Sequence, residues 1–205
     1  MSSSTHFHQF ISGTRPDAVP LVMLHGSGGD EHDLVPLAAE IAPGAPALAI
    51  RGTVAIDGGF AFFHRHPDRS IDEGDIGTRI PELATFIESA TIGHDLCKPP
   101  VAIGFSNGAI MAAALLLTHP SLFSAAILLR PLSPFLEDRP ARLDAIRVLI
   151  IDGEKDSRRS PGDGARLAER FGRTGAMVTH HVLPVGHSIT EMDRRIARDW
   201  LLELR

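Results

Sequence analysis

The chain reads as an α/β protein built on a mostly parallel sheet with helices on both faces, and three observations predict this. Short apolar runs alternate with longer stretches of helical periodicity along all 205 residues, as parallel strands joined by crossover helices must. Several of those runs are apolar at every position, the pattern of strands buried on both faces. At 102–110, AIGFSNGAI, an apolar run passes into an alanine-rich helical pattern through Ser106, with a glycine two positions away on either side.

Strands are expected at 7–11, 20–24, 46–50, 100–105, 124–129, 147–152 and 177–183. Helices are expected at 31–41 with Asp30 as cap, then at 78–91, 107–118, 161–172 and 190–203; the last opens after Ser188 and Thr190 and carries Ile196, Trp200 and Leu201 at helical spacing. The stretch 51–75, RGTVAIDGGFAFFHRHPDRSIDEGD, shows no periodicity and reads as one long loop, a feature that in compact domains is usually functional or disordered. No repeat, linker or shift in composition divides the chain, so 1–205 reads as a single domain. At this size roughly 70% of the unfolded surface can be buried.

A net charge of −5 argues against nucleic acid as a partner, since phosphate neutralisation would need a local basic patch. Cys97 is the only cysteine, which excludes an intramolecular disulfide or a cysteine-rich zinc site and fits a reducing compartment. The start, MSSSTHFHQF, lacks the basic and apolar regions of a secretory leader, and no apolar run approaches the ~18 residues of a membrane span. These features read as a cytoplasmic protein without a membrane span, and oligomeric state, a homodimer included, is left open.

The serine explains its glycines. A strand running straight into a helix leaves Ser106 in a very tight turn, and Gly104 and Gly108 remove side chains that would collide there. Gly-x-Ser-x-Gly in a strand–turn–helix context is a nucleophile elbow: it exposes the hydroxyl at the carboxyl edge of the sheet and aims the N–H of Asn107 at a developing oxyanion. A hydroxyl is a poor nucleophile at neutral pH, so a base and a group to orient it must follow. In this arrangement they come in the order acid, then histidine, each in the loop after a later strand. His187 stands in PVGHS after the strand 177–183 and is the expected base. The acid is Asp156 or Asp152, both in DGEKD; loop position favours Asp156, and Asp163 reads as a helix cap.

A second oxyanion donor is expected from HGSGGD, residues 25–30, where glycines let backbone N–H groups approach a ligand; Ser27 supplies the N–H and Gly26 permits the turn. The same loop matches neither GxxxxGK[ST] nor GxGxxG, which argues against phosphate binding.

With these motifs in place, the chain resembles the α/β-hydrolase superfamily, and more closely the phospholipase/carboxylesterase family of small bacterial serine esterases related to acyl-protein thioesterases. LHGSGGDEHDL, RGTVAIDGGFAFFHRH followed by SIDEGDI, GFSNGAIMAAALL, DGEKD and GHSI carry the resemblance across nearly the whole chain. It implies hydrolysis of carboxylic esters without a cofactor, no large cap domain, nucleophile, acid and base at Ser106, Asp156 and His187, and oxyanion donors at Ser27 and Asn107. Two departures stand out: SRRSP follows Asp156 where relatives carry an apolar pair and a proline, which puts Arg158 and Arg159 on that rim, and Asp152 stands where relatives often have histidine.

Other residues read more plainly. Phe60, Phe62 and Phe63 are expected to line an acyl or aryl pocket; Arg65 either meets a polar or anionic group there or pairs with Asp72, Glu73 or Asp75. His64 and His66 form an HxH pair without a third ligand fixed by spacing, and His180 and His181 point to opposite faces of their strand, so no metal is expected. His25 reads as a brace for the oxyanion loop, Cys97 as a structural thiol, and Met111, Leu115 and Leu116 as core. The expected activity is hydrolysis of small or medium acyl or aryl esters. Thioesterase or lysophospholipase-type activity, an acyl-transferring or lyase use of the same triad, and a non-catalytic ligand-binding homologue are the alternatives.

Overall fold

Seven strands pair in the order β1-β3-β2-β6-β7-β8-β9 in a computed structural model, described for residues 6–204 apart from Pro16, Cys97 and Pro140. They are β1 (His8–Ile11), β2 (Leu21–Leu24), β3 (Ala47–Ile50), β6 (Val101–Phe105), β7 (Ala125–Leu129), β8 (Arg147–Gly153) and β9 (Met177–Leu183). Only the edge strand β1 runs antiparallel, against β3; the other five pairings are parallel. The helices are α1 (Val35–Ile41), α2 (Glu73–Gly93), α3 (Asn107–Thr118), α4 (Asp163–Arg173) and α5 (Glu191–Leu202). The reading of Cys97 as a structural thiol lies outside the described residues.

The two faces follow from the two-residue period of the strands. Val22, Leu24, Leu48, Ile50, Val148 and Ile150 point to the side covered by α2, α3 and α4. Leu21, Met23, Ala49, Ile103, Ile127 and Ile151 point to the other, under α1 and α5. Helix α3 is buried at every residue from Asn107 to Leu117, because it crosses the centre of its layer. That burial accounts for its run of alanines and leucines.

Three helices start two or more residues from where the sequence reading placed them. Helix α1 begins at Val35, not residue 31, because Pro36 lacks an N–H and is tolerated only in a first turn. Asp30 therefore caps no helix; its Oδ1 accepts the His32 N–H at 2.8 Å and shapes a turn. Helix α2 begins at Glu73, capped by Asp72, whose side chain accepts from the Asp75 N–H, so helix formation outweighs the cost of Gly74 and Gly77. The supposed loop 51–75 also contains a short hairpin, β4 (Val54–Ile56) with β5 (Gly59–Ala61). Asp163 is the first residue of α4 and Gly162 its cap; the Asp163 carboxylate accepts the Ser160 N–H at 2.7 Å.

The order of strands creates a crevice. From β2 the chain moves to β3 on one side, and β6 then returns to pair with β2 on the other. Helix α1, after β2, packs on one face, whereas α3, after β6, packs on the opposite face. The switch point lies at the carboxyl edge of β2 and β6, where open α/β sheets bind ligands.

Candidate active site

Ser106 sits in that crevice with backbone angles φ 52° and ψ −107°, a left-handed φ that non-glycine residues rarely adopt. The turn is held on both sides: the Ser106 N–H donates to the Leu129 carbonyl at 2.9 Å, and its own carbonyl accepts the first α3 bond from the Ile110 N–H at 3.1 Å. The two glycines are required by contact, not by φ. A Cβ on Gly108 would stand 2.0 Å from the Leu24 carbonyl oxygen, and one on Gly104 2.5 Å from the Ala109 Cα.

The Ser106 Oγ lies 3.0 Å from His187 Nε2, and His187 Nδ1 lies 2.7 Å from Asp156 Oδ2. The carboxylate fixes the tautomer: Nδ1 carries the proton and donates it, leaving Nε2 free to accept from the hydroxyl. Asp156 is 5% exposed, and its other oxygen accepts the Arg158 N–H at 2.9 Å. Burial pulls the His187 imidazolium below its ordinary pKa; Asp156 opposes that shift, and Arg159 and Arg158 reinforce it. A neutral imidazole between a hydroxyl and a carboxylate can take a proton from the one while the other stabilises the resulting charge.

The loops that carry Asp156 and His187 are joined by their backbones. The Glu154 N–H donates to Leu183 and the Lys155 N–H to Val185, at 2.8 and 3.0 Å. Gly153 permits the approach, since a Cβ there would stand 2.5 Å from the Gly186 and Val185 carbonyl oxygens. Asp152 takes no part in this arrangement: its Oδ2 lies 2.7 Å from His180 Nε2, and Gly164 of α4 packs on its carboxylate. Burial raises its pKa.

The loop 25–30 lies against the elbow. Gly26 packs on the Phe105 ring, which a Cβ there would meet at 2.8 Å, and Gly28 has φ 85°. His25 is buried and braces the loop: Gly52 N–H donates to its Nε2 at 2.9 Å, so its Nδ1 donates to the Gly26 carbonyl at 2.7 Å. The hairpin closes the far side, with Gly28 N–H to Phe60 O at 2.9 Å and Phe60 N–H to Gly29 O at 3.0 Å. Ser27 is exposed at the tip, and Asn107 opens α3, where the first N–H groups have no helical partner.

The aromatic residues of the 51–75 stretch are placed otherwise than the pocket reading expected. Phe62 and Phe63 are 2% and 1% exposed and belong to the core under α3, so they form no open pocket wall. The Asn107 side chain holds them there: its Oδ1 accepts the Phe62 N–H at 2.7 Å, and its Nδ2 donates to the Phe63 carbonyl at 3.3 Å. Phe60 is partly exposed and stacks under the Arg51 guanidinium, 4.6 Å from the ring centroid. Arg65 pairs with none of Asp72, Glu73 or Asp75; it donates to the Arg69 carbonyl at 2.7 Å and lies 6.0 Å from the Phe63 ring centroid. Asp75 is taken instead by Arg79 at 2.8 Å.

Two arginines escaped the sequence reading as site residues. Arg130, at the end of the apolar run AAILL, is fully buried, and its guanidinium donates to the carbonyls of Gly186 and Ser188 on either side of His187, at 3.1 Å each. A charge directly after an apolar strand was the available signal. Arg159 was visible only as an unusual rim residue; its Nη2 lies 3.1 Å from the Ser106 Oγ.

This strand order, elbow and hydrogen-bonded chain are those of an α/β-hydrolase, and comparison with known proteins narrows the class. No family model matches the chain. It is 33% identical to MhqD of Bacillus subtilis strain 168, whose name places it among the hydrolases, over 96% of this chain and 98% of that protein. A carboxylesterase from Bacillus cereus superposes with a TM-score of 0.95 at 32% identity, covering 100% of this chain and 97% of that one. A carboxylesterase from Mesorhizobium loti does so with a TM-score of 0.90 at 34% identity, covering 98% of this chain and 97% of that one. The chain belongs to the phospholipase/carboxylesterase family of α/β-hydrolases and is a carboxylesterase-type hydrolase. No described helix is long and apolar enough to cross a membrane.

Proposed function

We propose that the protein hydrolyses carboxylic esters of small or medium acyl or aryl substrates through a Ser106–His187–Asp156 triad, with residues 1–205 acting as one unit. The observation that carries this reading is the unbroken hydrogen-bonded chain from the Ser106 Oγ through both His187 nitrogens to Asp156. His187 takes the hydroxyl proton as Ser106 attacks the ester carbonyl, Asp156 stabilises the imidazolium, and the N–H groups of Ser27 and Asn107 receive the oxyanion. His187 then returns the proton to the departing alcohol. The acyl-enzyme is opened by water that His187 deprotonates, releasing the acid and restoring the serine. The single cysteine agrees with work in a reducing compartment such as the cytoplasm.

The test is labelling with a fluorophosphonate alongside a panel of p-nitrophenyl esters of increasing acyl length. The expected result is one phosphonylated residue, Ser106, and loss of turnover by several orders of magnitude in Ser106→Ala with the circular dichroism unchanged. Labelling at another residue, or a Ser106→Ala variant that keeps most of its activity, sinks the assignment.

A further inference from the structure

Arg159 occupies a place where this site's chemistry leaves it unexplained. Its Nη2 donates to the Ser106 Oγ at 3.1 Å, its Nε and Nη2 to the Arg130 carbonyl at 2.9 and 2.5 Å, and its Nη1 to the Arg158 carbonyl at 3.0 Å. All of these acceptors are neutral oxygens, and among the described residues no carboxylate forms an ion pair with it. The side chain is only partly exposed. Arg65, also partly exposed and without a carboxylate partner among the described residues, adds a second positive charge to the same side of the crevice. Burial first, and Arg65 second, push Arg159 down to about 10; Asp156, Asp163 and Asp152 oppose that shift from a distance, and none of the three forms an ion pair with the guanidinium. Partly desolvated guanidinium groups without a carboxylate in direct contact are costly unless an anion completes them. A neutral ester needs no such groups beside the nucleophile.

We propose that Arg159, with Arg65 behind it, is a specificity-determining residue that receives a carboxylate on the acyl part of the substrate, making the preferred substrates monoesters of short dicarboxylic acids. The inference rests on the esterase reading above. The guanidinium lies within one hydrogen bond of the attacking oxygen, which sets the length: the carboxylate must stand about two or three carbons from the scissile carbonyl to reach Nη2 while Ser106 attacks. Arg159 is anchored by the Arg130 carbonyl, so its planar fork is held in place before the substrate arrives, the condition under which paired N–H donors favour carboxylate over a neutral group. An arriving carboxylate also takes the Nη2 donor away from the Ser106 Oγ, returning a lone pair to the nucleophile. The chemistry is otherwise unchanged: Oγ bonds to the ester carbon, the C–O bond to the alcohol breaks, and water supplies the oxygen and protons that leave the dicarboxylate, an alcohol and one proton.

The test compares kcat/KM for monoethyl succinate with that for ethyl levulinate, in which a methyl ketone replaces the carboxylate at similar size, followed by proton release at constant pH. The wild-type protein should prefer the anionic ester by at least tenfold. Arg159→Gln should bring the ratio close to one, Arg65→Gln should lower it by a smaller factor, and Arg159→Lys should leave an intermediate value because the charge remains without the fork. Using a ratio within each variant cancels any general disturbance of Ser106. Equal rates on the two esters in the wild type, or an unchanged ratio in Arg159→Gln, overturn the inference. If p-nitrophenyl acetate is still cleaved in a Ser106-dependent way in that case, the esterase reading survives alone; if the wild type cleaves no ester, both fall.

Discussion

Arg130 and Asp193 form a two-pronged ion pair in the interior, Nη1 to Oδ1 at 2.7 Å and Nη2 to Oδ2 at 3.0 Å, with side chains 0% and 1% exposed. The other three guanidinium N–H groups reach the carbonyls of Gly186, Ile151 and Ser188, so all five donors are used. Asp193 in turn receives the N–H and hydroxyl of Thr190, the N-cap of α5, and so completes its capping box. The pair ties the end of β7, the His187 loop and the start of α5 into one unit.

Breaking it should be expensive. Asp193→Asn leaves a buried guanidinium without its counter-charge, a change that costs about 3–5 kcal/mol in comparable buried pairs. Urea unfolding followed by circular dichroism should show the loss, whereas Glu203→Gln, which removes the charge from the solvent-exposed contact with Arg147, should shift stability by less than about 1 kcal/mol.

The two aspartates of DGEKD separate by partner. Asp156→Asn should lower kcat by about four orders of magnitude, since the amide no longer holds the imidazole in the useful tautomer. Asp152→Asn, whose carboxylate meets His180, should change kcat/KM for a p-nitrophenyl ester by less than threefold. A reversed order of effects in steady-state kinetics would reassign the acid.

The pH profile carries the sign of the local field. The proposed mechanism requires a neutral His187, and burial holds its pKa below the ordinary 6.5, so the acid limb of kcat/KM should have its midpoint below that value. Arg159 and Arg158 disfavour the imidazolium, so Arg159→Gln removes one of these positive charges and should move the acid limb to higher pH. Asp156 and Arg158 still act on the ring in that variant. A limb that stays put or moves down contradicts the field described here.

Glycines at contact and in open space should respond in opposite directions. Gly108→Ala drives a methyl into the Leu24 carbonyl and should abolish activity and destabilise the fold. Gly77→Ala, on an exposed turn of α2 with nothing within 4 Å of the new carbon, should stabilise by about 0.5–1 kcal/mol. Differential scanning calorimetry should place the two melting temperatures on either side of the wild type.

How much of this was readable beforehand depended on range. The seven sheet strands and five helices announced themselves through apolar runs and helical periodicity, and the elbow through five consecutive residues. The 51–75 stretch was misread because its hairpin is only three residues per strand and pairs with the Gly29 backbone, which leaves little side-chain pattern. Phe62 and Phe63 looked like pocket residues for the same reason: nothing nearby in the chain announces the Asn107 clamp that pulls them under α3.

Local pattern, then, was enough to specify alternating strands and helices and one strained serine between glycines, because these depend on neighbours a few positions apart. Folding in three dimensions settled which aspartate meets His187, which arginine is buried behind it and which stands beside Ser106. Those contacts join residues 31, 63 and 53 positions apart, and only the order and register of the strands bring such positions to the same edge of the sheet.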